Sequence, residues 1–123
     1  MKIAEVKQIL DADVITGDDM LNKEVQMSFA ADLMSDVLTF ARGGSVLLTG
    51  LTSSIVIRTA DTLDIAAIVF VRGKRPDSDA VELAREKKII LLTTKYIMFE
   101  SCGRLYKAGM RGSIQNVSEL QGS

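Results

Sequence analysis

The sequence predicts an α/β fold: a three-layer sandwich with a mainly parallel sheet built from βαβ units. Three observations carry this. The apolar runs "SVLLTG", "IAAIVFVRG" and "IILLTT" lack polar alternation, the pattern of parallel strands covered on both faces. Segments of helical period lie between them. Each run also ends in small, polar or basic residues, where a strand must turn into a helix.

Taken in order, Lys2 to Leu10 places Ile3, Val6, Ile9 and Leu10 at helical spacing, so a first helix is expected there. "ADVITG" is a short β-rich run ended by Gly17, and "DDMLNK" is a polar turn. "VQMSFAA" alternates, with Val25, Met27 and Phe29 on one side, which suits a half-exposed strand at an edge or beside another surface. Asp32 or Ser35 can cap a helix holding Leu33, Val37, Leu38 and Ala41, which Gly43 and Gly44 stop through a left-handed end. After strand 45–49 comes a helix from Thr52 to Leu63 with Val56, Ala60 and Leu63 on one side. After strand 66–71, "RPD" turns and Ser78 caps a helix through Lys88. After strand 89–93, Thr94 caps a last helix from Lys95 to Ala108, ended by Gly109. The three strands are expected to be parallel neighbours. Residues 1–110 read as a single domain, and 111–123, polar and small, as a flexible C-terminal tail.

Composition narrows the chemistry. With 123 residues the chain suits one domain, burying roughly 65% of its unfolded surface. A net charge of -1 carries no electrostatic footprint for nucleic acid, and no apolar run approaches the length of a membrane span. The N-terminus mixes charges with apolar residues and is not a secretory signal. The lone Cys102 implies a reducing compartment, so a cytoplasmic location is expected. The chain contains no histidine. That removes Ser/His and Cys/His nucleophilic pairs and leaves one cysteine and carboxylates for zinc; carboxylate or Lys acid/base chemistry stays open but has no positive support, so neither a catalytic centre nor a metal or other cofactor is expected.

The three strand ends supply the candidate ligand site: Thr49, Gly50, Thr52 and Ser53 from the first, Arg72 and Lys74 from the second, Thr94 and Lys95 from the third. Parallel strands place these ends on one sheet edge, where open α/β sheets bind ligands and helix N-termini favour anions. The same residues also suit a purely structural corner, since Thr and Ser are wanted as N-caps and Gly in tight turns. "TGLTSS" is not a phosphate loop of the Gly-Lys-Ser/Thr kind. Cys102 shares a helical face with Met98 and Leu105 and reads as a packed thiol. The last helix carries a second apolar stripe of Tyr96, Phe99 and Tyr106. With Met27 and Phe29 of the alternating strand, these form the candidate dimer interface.

From about Lys2 to Gly109 the chain resembles the DRTGG domain family, most clearly in "FAADLMSDVLTFA", "LLTGLTSSIVIRTADTLDIAAIVFVRGKRPD" and "LLTTKYIMFESCGRLY". The layout is also similar to the N-terminal domain of HPr kinase/phosphorylase, where a comparable strand ends in "RG" before a proline turn. The five-letter DRTGG string itself is absent, so no residue role carries over through it. The resemblance implies a regulatory or dimerising module of the kind attached to phosphotransacetylases and CBS-bearing pyrophosphatases, without kinase activity. Residues and resemblance together predict a non-catalytic, homodimeric regulatory module able to bind an anionic small molecule such as a nucleotide. The alternatives are a protein-interaction accessory subunit of a metabolic enzyme complex and, third, a phosphate-handling enzyme.

Overall fold

A computed structural model describes residues 1–120. Its elements are α1 (Ile3–Ile9), β1 (Asp13–Thr16), β2 (Met27–Ala30), α2 (Met34–Phe40), β3 (Val46–Thr49), α3 (Ser54–Leu63), β4 (Ala67–Phe70), α4 (Ser78–Lys87), β5 (Ile90–Thr93), α5 (Met98–Lys107), β6 (Arg111–Gly112) and a 3-10 turn (Val117–Leu120). The six strands form one sheet in the order β1-β5-β4-β3-β2-β6. β2, β3, β4, β5 and β6 are mutually parallel, and β1 runs antiparallel along β5. The three apolar strands are therefore parallel neighbours, as expected.

Strand periodicity builds the layers. Val46, Leu48, Val69, Ile90 and Leu92 face the layer holding Ile3, Val6 and Leu10 of the α1 segment and Leu105 of α5. Leu47, Ile68, Phe70 and Leu91 face Val37, Val56, Ile57, Ala80 and Ala84 of α2, α3 and α4. Val69 and Leu91 are fully buried, so the central strands are covered on both faces. Each such side chain contributes about 1.5–3 kcal/mol by leaving water. The three βαβ units place their helices on one face; the chain then crosses under the other face through α5, and β6 pairs with β2 at the far edge.

Local boundaries differ from the expected ones for identifiable reasons. α5 starts at Met98 after Ile97, because the Thr94 hydroxyl is spent elsewhere, donating to Leu10 O at 2.6 Å. α4 has Asp77, not Ser78, as its N-cap residue. α2 ends in extended backbone at Ala41, so no left-handed cap closes it; the left-handed glycine is Gly44, beyond the helix. Val25 precedes β2 and packs in the α1/α5 layer while Phe29 packs in the α2–α4 layer, which breaks the expected common face. The expected tail is partly structured. Arg111 and Gly112 pair with Met27 and Ser28, and Ser113 is buried with its N–H donating to Ser28 O at 2.9 Å. Residues 121–123 of that tail lie outside the described residues.

Candidate functional site

The carboxyl ends of β3, β4 and β5 share one edge of the sheet, and the predicted ligand residues lie along it in two groups. At the β3–α3 corner, Thr49 and Gly50 are buried. Their polar groups are satisfied by a residue from the end of β2. The Asp32 carboxylate accepts the Gly50 N–H at 2.7 Å and the Thr49 hydroxyl at 3.0 Å, and Thr49 Oγ1 accepts the Leu51 N–H at 3.2 Å. Asp32, one of the two residues expected to cap α2, thus places a carboxylate where an anion was expected. Ser53 holds the N-cap position of α3 without a side-chain capping bond, and Thr52 O accepts the Asp77 N–H at 2.9 Å.

Arg72 belongs to this corner. Its guanidinium lies over Gly50 so closely that an added Cβ would meet it, with Cζ 3.0 Å away. Only a residue without a side chain leaves the arginine where it is. Arg72 has left-handed backbone (φ 61°) and its N–H donates to Tyr96 O at 2.9 Å. The Gly73 N–H donates to Thr94 O at 2.8 Å, and the Thr93 hydroxyl donates to Lys74 O at 2.7 Å. These bonds stitch the β4–α4 turn to the β5–α5 loop, so the Lys74 backbone is structural while its side chain is exposed.

Beyond that seam lies a cavity of about 470 Å³. Thr94, Lys95 and Tyr96 line it from the β5–α5 loop, Gly73 and Arg75 from the β4–α4 turn, and Asp11 and Asp13 from the start of β1. Two cations and two carboxylates therefore share one cavity. None of the four forms an ion pair among the described residues, whose pairs lie elsewhere. The Thr93 and Thr94 hydroxyls both donate to backbone carbonyls. The Arg104 guanidinium stacks on the Tyr96 ring at 4.1 Å and is itself held by Glu100 at 2.9 Å. Of the predicted ligand residues, Thr94 and Lys95 line this cavity; Thr49, Gly50, Thr52, Ser53, Arg72 and Lys74 do not. Sequence reasoning missed Asp11, Asp13 and Arg75. The acids carry a signal in "DAD" only once β1 is known to run antiparallel, which brings its first residue beside Thr93. Among the described residues, no three of His, Cys, Asp and Glu gather as metal ligands would.

The candidate interface residues also separate. Phe99 is 84% exposed and Tyr106 63%, and Ile97 beside them is 58% exposed. Phe29 lies across the sheet, its ring centroid 6.1 Å from that of Phe40. Met27 pairs with Arg111 at the β2–β6 edge. Cys102 packs against the α1/α5 core. Burial pushes its thiol above the ordinary value, outweighing a backbone hydrogen bond that lowers it.

The DRTGG domain family model matches residues 5–108. The chain belongs to the DRTGG domain family. No curated protein matches its sequence. Among solved structures, this DRTGG chain is similar to the crystal structure of the CBS and DRTGG domains of the regulatory region of Clostridium perfringens pyrophosphatase, complexed with the activator diadenosine tetraphosphate. The TM-score is 0.71 at 13% identity, over 98% of this chain and 57% of that one. At that identity the likeness is one of fold, and this DRTGG chain spans little more than half of that structure. No helix among the described residues is long and apolar enough to cross a membrane.

Proposed function

We propose that this chain is a non-catalytic, cytoplasmic regulatory module that binds an anionic small molecule, a nucleotide in the first instance, and dimerises. Membership of the DRTGG family supports the regulatory role, and the similar pyrophosphatase region is one that binds a nucleotide activator. The observation that carries the ligand reading is the cavity at the carboxyl end of β5. There Lys95 and Arg75 present two unpaired cations next to an aromatic ring, in the place where α/β sheets take ligands. An anion there gains charge-assisted hydrogen bonds without a histidine.

Calorimetric titration with AMP, ATP and diadenosine tetraphosphate tests it. Wild type is expected to bind at least one of them. The Arg75→Ala, Lys95→Ala double variant is expected to fold and to bind at least tenfold more weakly. Absence of heat with every compound at millimolar concentration would remove the ligand reading.

Dimerisation is proposed through Phe99, Tyr106 and Ile97 of the α5 region, since a ring as exposed as Phe99 gains by being covered. Sedimentation at micromolar concentration should give the mass of a dimer, and Phe99→Asp that of a monomer. A monomer mass for wild type leaves the interaction-subunit alternative, with the same face turned to another protein.

A further inference from the structure

We infer that the cavity at the end of β5 selects a ribonucleotide by its sugar hydroxyls as well as by its phosphate. This rests on the ligand reading above and narrows it. An anion alone accounts for Lys95 and Arg75 but not for Asp11 and Asp13, whose charges oppose any phosphate held nearby. All four are exposed, where opposite charges gain little by pairing with one another and stay available to a ligand if they do not pair. Among the described residues none of them does, while four ion pairs form elsewhere.

The two signs also come from different elements. The acids sit at the turn from α1 into β1, with Asp13 opposite Thr93 in the ladder; the cations sit on the β4–α4 and β5–α5 connections. The Thr94 Oγ1–H bond to Leu10 O fixes the acid wall to the basic wall, and the Gly73 N–H bond to Thr94 O joins the two connections that carry the cations. Those ties occupy the Thr94 hydroxyl and the Gly73 N–H, and the four charged side chains and Tyr96 remain to meet a ligand.

A ligand that satisfies both walls carries an anion at one end and hydrogen-bond donors a few ångströms away. A ribose 5′-phosphate does so within one stiff sugar. Its 2′ and 3′ hydroxyls donate to a carboxylate, as at dinucleotide sites, and its phosphate meets Lys95 and Arg75. The cavity volume of about 470 Å³ is of nucleotide scale, and the Tyr96 ring, braced by Arg104, gives the base an aromatic surface.

Calorimetry on the full chain with ADP, 2′,3′-dideoxy-ADP and inorganic pyrophosphate tests this. ADP should bind at least tenfold more tightly than either of the others. The Asp11→Asn, Asp13→Asn double variant, with an unchanged thermal melt, should bring ADP and the dideoxy compound to within about twofold. Equal binding of ADP and dideoxy-ADP to wild type would overturn the hydroxyl inference and leave the anion site standing. So would an Asn variant that keeps the preference. Binding of none of the three would remove the anion site and this inference together.

Discussion

The β3–α3 corner and the end of β5 lie on the same edge of the same sheet, yet one is closed by the protein's own groups and the other is open. At the corner, Asp32 occupies the buried Gly50 N–H and Thr49 hydroxyl, and Arg72 covers Gly50. At the end of β5 the hydroxyls bond inward and four unpaired charged groups line a cavity. A strand end rich in Thr, Ser and Gly therefore marks where a site can form on this edge. Whether the protein fills it from within depends on residues from distant parts of the chain. Asp32 does so at one end, and β1, entering antiparallel, leaves room at the other.

Removing each region's key group should separate the two roles, the largest effect coming at the closed corner. Asp32→Ala strips two charge-assisted bonds from buried partners and should cost about 2 kcal/mol in chemical denaturation, with Asp32→Asn recovering part of it. Asp13→Asn, an exposed acid of the cavity, should change stability by less than about 0.5 kcal/mol. Equal costs for the two would erase the distinction. Next in size is Thr94→Val, which leaves the Leu10 carbonyl and the Tyr96 N–H without their partner. We expect a loss of about 1 kcal/mol. Weaker nucleotide binding should accompany it, because that bond ties the cavity's two walls together. Unchanged stability in urea would show that the tie contributes nothing.

The sequence made the middle of the sheet plain because β3, β4 and β5 are continuous apolar runs whose neighbours along the chain are also their neighbours in space. It was less legible where a local signal was diverted to a distant partner. Thr94 looks like a helix cap but bonds Leu10, delaying α5 by three residues. Asp32 looks like the cap of α2 but bonds Gly50, eighteen positions on. Arg111 and Gly112 look like tail residues, yet they complete the sheet against β2 with backbone bonds that no side-chain pattern records. The candidate site was half legible for the same reason. Lys95 and Thr94 follow an obvious strand, whereas Asp11 and Asp13 join them through the direction of β1, and four residues of strand do not reveal direction.

Gly50→Ala should have as small an effect on stability as Asp13→Asn and the sharpest bearing on the comparison. Gly50 has no positive φ, so alanine fits its backbone, and the lost chain freedom of the unfolded state favours the variant by about 0.4–1 kcal/mol. Against this stands the collision of the new methyl with the Arg72 guanidinium. That group is the far end of a flexible side chain, so it swings aside at little cost. The denaturation midpoint should therefore stay within about 0.5 kcal/mol of wild type while Arg72 is displaced. If the corner is closed and the cavity independent of it, the variant binds ADP as wild type does. If ADP binding falls tenfold with stability unchanged, Arg72 reaches the ligand from its seat over Gly50, and the two ends of the edge form one site.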